Sequence, residues 1–174
     1  MLQQSAGAKI SIGDTSLGGN YDPDTHVLDE EESGFSANYY VEISYIESIG
    51  SITNEFEELS IMELGTDYYE KYKGSFNSNT LDINLAYNPT NDGQDFIKSA
   101  LRGSKKNHDW PFRIVLNNNS TFYFAGKVLS FNTNIGSGNS IVNSNIVITI
   151  NPISIREPDF HPANWWQYFF SEAV

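Results

Sequence analysis

From Leu81 to Tyr87 the chain alternates without a break, Leu81, Ile83, Leu85 and Tyr87 against Asp82, Asn84 and Ala86. A repeat of two residues puts like side chains on one face only in an extended strand. The segment therefore reads as a half-buried strand, and the fold around it must be a sheet with an inside and an outside. The same period returns from Tyr39 to Ile46, where Tyr39, Val41, Ile43 and Tyr45 alternate with Tyr40, Glu42, Ser44 and Ile46. It returns again from Ile141 to Ile150, with Ile146, Ile148 and Ile150 directed inward, and briefly from Ala8 to Ile12. Phe112 to Leu116 and Thr121 to Phe131 read as a hairpin around Asn117-Asn118-Asn119-Ser120, with Gly126 marking a bulge or a close backbone approach.

One segment has a helical period. Asn88-Pro89 ends the strand before it, and Asp92 is the expected N-cap of a helix running to about Arg102. Asp95 complements the dipole in the first turn, and Phe96, Ile97, Ala100 and Leu101 form the apolar stripe. Gly103 is placed at C′. About six or more strands with one flanking helix predict a mainly β fold, a sandwich or small barrel. The 174 residues are enough for a single domain with a real core.

Three stretches do not fit that pattern. Residues 14–35 are rich in Gly, Asp and Asn and read as an exposed insertion. Gly50 to Gly74 carries Glu55, Glu57 and Glu58, then Leu59, Ile61, Met62 and Leu64, then Tyr68, Tyr69 and Tyr72, and neither the helix nor the strand period fits the whole. It is too apolar for a plain solvated loop and needs a surface to bury against, on this subunit or another. Residues 156–174 hold Trp165-Trp166-Gln167-Tyr168-Phe169-Phe170, a run too short to span a membrane and too aromatic to stand free. This arm is expected to dock, on its own domain (1–155) or on a neighbour.

Composition narrows the chemistry. Twenty-two acids against ten bases leave a net charge of −12, the wrong sign for a basic nucleic-acid surface. The charge is uneven: residues 1–70 sum to −14 and residues 71–174 to +2, with Lys98, Arg102, Lys105 and Lys106 clustered. An acidic half and a basic patch on one molecule suit head-to-tail contact between copies. There is no cysteine, and the first residues have neither the basic nor the apolar region of a secretion signal, so a chain folded in a cytoplasm is expected. His26, His108 and His161 lie in loop-like segments without ligand spacing, and no serine sits in a nucleophile elbow. No cofactor, metal or catalytic set is expected. Ten tyrosines and three tryptophans on a β-sandwich also suit a carbohydrate-binding module. Against that second reading, they concentrate in 68–72 and 165–170 and not along one flat face.

Several motifs in order resemble the major tail tube proteins of long-tailed, lambda-like bacteriophages. They are the opening Ala6-Gly7-Ala8-Lys9-Ile10-Ser11-Ile12-Gly13, the Tyr40-Val41-Glu42-Ile43 strand, and the loop ending in Tyr69 to Gly74 before Leu81-Asp82-Ile83-Asn84-Leu85. Asp92-Gly93-Gln94-Asp95-Phe96-Ile97 is similar to the family's helix start, and Phe112-Arg113-Ile114-Val115-Leu116 with Phe124-Ala125-Gly126-Lys127-Val128 to its later strands. The resemblance spans about residues 6–155. It implies a structural virion protein that forms stacked hexameric rings, a tube for the tape measure protein and for DNA, with tail tip and terminator proteins as partners. The inner tube of contractile tails and type VI secretion shares that architecture and stays open as an alternative.

In such a family the segment from about 52 to 79 orders against the adjacent ring. The expected interface is Glu55, Glu57, Leu59, Ile61, Met62, Leu64, Tyr68, Tyr69 and Tyr72, the basic Lys98, Arg102, Lys105 and Lys106, and Trp165, Trp166 and Phe169. Glu42, Glu47 and Asp82, opposite apolar strand positions, are the expected lumen acids.

Overall fold

The computed structural model describes residues 7–14, 39–62, 64, 68–138, 140–151 and 154–155. Nine strands and one helix follow in chain order among them: β1 (Lys9–Gly13), β2 (Tyr40–Ile43), β3 (Ile46–Ile49), β4 (Asn54–Ile61), β5 (Glu70–Ser78), β6 (Thr80–Ala86), α1 (Asp92–Arg102), β7 (Trp110–Val115), β8 (Thr121–Asn134) and β9 (Asn143–Ile150). Seven strands make one antiparallel sheet in the order β2-β1-β7-β8-β9-β6-β3, while β4 and β5 pair only with each other.

The alternation seen in the sequence is the sheet's inside and outside. Ile10, Ile12, Leu81, Ile83, Leu85, Phe112, Phe124, Ile146 and Ile148 are all fully buried, and with Ile43 and the helix's Ile97 and Ala100 they form one core. The Phe112 and Phe124 rings stack at the centre, 5.2 Å apart. β2 and β3 lie at opposite ends of the strand order but are joined through Ser44 and Tyr45 alone. Two linking residues reach about 10 Å at most, so the sheet must curl until the end of β2 lies close to the start of β3.

That closure corrects the expectation of one strand from Tyr39 to Ile46. The chain breaks at Tyr45, which takes a left-handed φ of 64°, and its carbonyl accepts the Ala86 N–H at 2.9 Å. Continuing β2 straight would carry it off the sheet, whereas the kink transfers it to β6's side. Gln94 holds the junction. Fully buried, it donates through Nε2 to the carbonyls of Ser44 (3.3 Å) and Ala86 (3.1 Å), and its Oε1 accepts the Asn88 N–H at 3.0 Å. Gln94→Leu keeps the volume but strands these three backbone groups. Unfolding stability is expected to fall by about 2–4 kcal/mol, read as a lower denaturant midpoint at unchanged slope.

The helix is where the sequence places it, but its N-cap is Asn91, one residue earlier than expected. Asn91 Oδ1 accepts the Gln94 N–H at 3.0 Å and also the Ser44 N–H at 3.3 Å. Both Asn and Asp are strong caps, and the second bond, to the strand junction, decides between them. Gly103 is the C-cap, with φ −71° and not the left-handed C′ conformation. A glycine is needed there for space, since a Cβ would lie 2.6 Å from the Ser99 carbonyl.

At Gly126 the reading of a close approach holds: a Cβ would meet the Thr149 carbonyl at 2.6 Å. The bulge itself falls between Val128 and Ser130. β9 begins at Asn143, so Ile141 stays outside the strand and exposed.

Candidate assembly surface

The ambiguous 50–74 stretch folds as most of a two-stranded arm, β4 and β5. Its period is obscured for two reasons. Neither face of the arm is packed on the core, and the register slips between Phe56 and Glu58. The root is tied to the sheet by Asn79: its Oδ1 accepts the Thr53 N–H at 2.8 Å and its Nδ2 donates to the Ser51 carbonyl at 2.7 Å. Ser78 Oγ adds a bond to the Ile150 carbonyl at 2.7 Å.

Strand alternation and register sort the arm's side chains onto two faces. One carries Phe56 beside Phe76, ring centroids 4.9 Å apart, with the Lys73 ammonium 5.0 Å over Phe56 and a Glu58–Lys71 ion pair at 3.0 Å. The other carries Glu55 and Glu57 near the root, then Leu59 opposite Tyr72 and Ile61 opposite Glu70. There the Tyr72 hydroxyl donates to Glu70 at 2.5 Å, which raises the phenol's pKa. Of the fourteen exposed large hydrophobic residues among the described ones, nine lie on this arm and its tip: Phe56, Leu59, Ile61, Met62, Leu64, Tyr68, Tyr69, Tyr72 and Phe76. An isolated two-stranded ribbon is marginal in water, and exposed apolar surface so concentrated marks a contact surface.

The other expected interface residues are not gathered at this arm. Lys98 is engaged within the subunit, paired with Asp95 at 3.0 Å and set over the Tyr87 and Phe131 rings at 4.8 and 5.2 Å. Arg102, at the end of α1, and Lys105 and Lys106 in the turn after it are exposed and make no ion pair among the described residues. Trp165, Trp166 and Phe169 lie outside the described residues, as does the 14–35 insertion from residue 15 onward.

The three expected lumen acids do not form a set. Glu42, on the outward face of β2, is paired with Lys9 at 3.0 Å. Asp82 is exposed on the outward face of β6, and Glu47 sits at the irregularity in β3. What the sequence reading missed is the row Ser48, Asn84 and Asn145, hydrogen-bonded from strand to strand across the outward face. Its signal was present as polar positions inside strong alternation. A second missed cluster is Arg113, whose guanidinium lies 4.5 Å over the Tyr40 ring, with Tyr123 beside Tyr40. Burial, and secondarily Tyr123, push the Tyr40 phenol's pKa up, with Arg113 partly offsetting them.

No family model and no curated protein matches the sequence. Solved structures share its fold. A chain of the six-fold symmetrised anti-feeding prophage baseplate superposes with a TM-score of 0.61 at 10% identity, over 86% of this chain and 91% of that one. The SPP1 tail tube gives 0.60 at 11% identity, covering 94% and 83%. A chain of the gene transfer agent virion gives 0.58 at 9%, covering 90% and 98%. This chain has the mainly β fold that those chains share.

Proposed function

We propose that this chain is a structural subunit that polymerises with its own copies into stacked rings, the tube of a bacteriophage tail or a related injection device. The observation that carries the reading is the β4–β5 arm, a ribbon with nine large apolar side chains exposed and no core of its own. A second copy in the next ring is the surface that would complete it. β2 and β3 each pair along one side only in the sheet order, so each offers an edge that a ring neighbour can satisfy. The uneven charge, acidic before residue 70 and slightly basic after it, suits a contact that repeats in one direction and closes.

The finer reading is a hexameric ring in a long-tailed phage virion, assembled in the host cytoplasm, with the tape measure protein inside and tail tip and terminator proteins at the ends. DNA passes without specific binding, and the subunit has no catalytic role. Two observations support it: the ordered sequence motifs, and the fold shared with the SPP1 tail tube. The likeness to the anti-feeding prophage chain keeps the inner tube of a contractile device as the second reading.

Negative-stain microscopy of the concentrated protein tests the proposal. Hollow tubes or stacked rings are expected. A monomer at every concentration, binding insoluble polysaccharide, would mean a carbohydrate module instead.

A further inference from the structure

The outward face of β8, β9, β6 and β3 is unlike the rest of the molecule's surface. A hydrogen-bonded row crosses it. Asn84 Nδ2 donates to Ser48 Oγ at 3.1 Å, and Asn145 Nδ2 donates to Asn84 Oδ1 at 3.0 Å. Asn145 stands opposite Asn132, which donates to Ser130 Oγ at 3.4 Å. Asparagine is a poor strand residue, and here three stand side by side on three neighbouring strands. Threonine or valine would serve the sheet better, so sheet stability does not account for them.

The face is also nearly free of available charge. Its one ammonium, Lys127, is held by the buried Asp109 carboxylate at 2.7 Å, which leaves two exposed acids, Asp82 and Glu47, as its unpaired charges among the described residues. Leu129, lifted by the bulge, is its one exposed large apolar side chain. Other surfaces differ. The outward face of β2, β1 and β7 carries Lys9, Glu42 and Arg113; the helix end carries Arg102; the arm carries the apolar side chains.

We propose that this amide face is the wall of the channel, turned toward the axis when copies close into a ring; the inference rests on the tube reading above. A wall that a polyanion must slide past needs to hold water, expose no free cation and offer no large apolar patch. A free cation would bind phosphates through counterion release. Among the described faces this one meets all three conditions, and it meets them without a carpet of acids. Because Asn84 and Asn145 bond along the row, part of their donor and acceptor capacity is already taken up within the wall, which weakens its grip on a passing strand. The arm agrees in position: β4 leaves from β3 and β5 returns into β6, so the arm extends the two strands at this face's border. A subunit that reaches the next ring through its arm would then run this face along the direction of stacking.

The chain has no cysteine, so single cysteines report position cleanly. Ser48→Cys is nearly isosteric, and Asn132→Cys at the other end of the row serves if the first perturbs folding. Each variant is labelled as free subunit and as assembled tube, with a small maleimide and with a maleimide on a long polyethylene glycol too large to enter the channel. Both probes are expected to label the free subunit. In tubes the small probe should still react and the long one should lose its reaction. Labelling of tubes by both probes would place the face outside, and labelling by neither would place it in a subunit contact; either overturns the proposal. If the native chain forms no tubes, the underlying reading fails with it. Tubes with the wrong labelling pattern sink this inference alone.

Discussion

Gly93→Ala is expected to destabilise the subunit by about 3 kcal/mol, a fall in Tm of roughly 6–12 °C for a chain of this size. Helix propensity predicts the opposite, since alanine inside a helix is favoured over glycine by up to about 1 kcal/mol. Space decides. A Cβ at Gly93 would lie 2.2 Å from the Glu42 carbonyl oxygen, 2.7 Å from its carbon and 2.9 Å from the Ile43 Cα. All three are backbone atoms of β2, so no side-chain rotation relieves the clash. Moving α1 outward would pull Ile97 and Ala100 out of the core and lengthen the Gln94 bonds at the β2–β3 junction. Gly138 is the control, since a Cβ there meets nothing within 4 Å and Gly138→Ala should be near neutral. Denaturant melts of both variants check this. A Gly93→Ala protein as stable as the native one would show that the helix is not seated on β2.

Much of the fold was legible because the sheet has one core face and hydrophobic alternation is its direct consequence. Leu81, Ile83, Leu85, Ile146 and Ile148 are apolar in the sequence and fully buried in the structure. What local pattern could not show is where a strand stops for a long-range reason. Tyr45 continues the alternation of Tyr39, Val41 and Ile43, yet the chain turns there because Ala86, Asn91 and Gln94, far along the sequence, supply the hydrogen bonds. Gln94 was invisible for the same reason. A polar residue in a helix's first turn reads as a surface position, and only the three backbone groups that converge on it make it a core residue. At the arm, alternation failed because both faces are exposed.

The double substitution Leu59→Asp with Ile61→Asp is expected to leave the free subunit as stable as before and to raise the concentration at which it polymerises by about tenfold or more. The two side chains are 46% and 58% exposed, so little of the subunit's own packing depends on them, and surface changes of this kind stay within about 0.5 kcal/mol. In a ring stack the balance reverses. Fully burying such a side chain is worth about 1.5–3 kcal/mol, and roughly half of that is still unrealised at these exposures. Losing both contributions raises the concentration needed for assembly by about tenfold to a hundredfold. The new carboxylates, added to a face that already holds Glu55, Glu57 and Glu70, make burial there costlier still. In the proposed tube each ring would carry as many arms as subunits, so the defect would repeat at every contact. Sedimentation across a concentration series, with microscopy of the pelleted fraction, measures the shift, and a thermal melt of the supernatant confirms the intact subunit. Tubes forming at the native concentration would show that this face of the arm stays in water after assembly, and the contact would then have to be sought on the Phe56–Phe76 side.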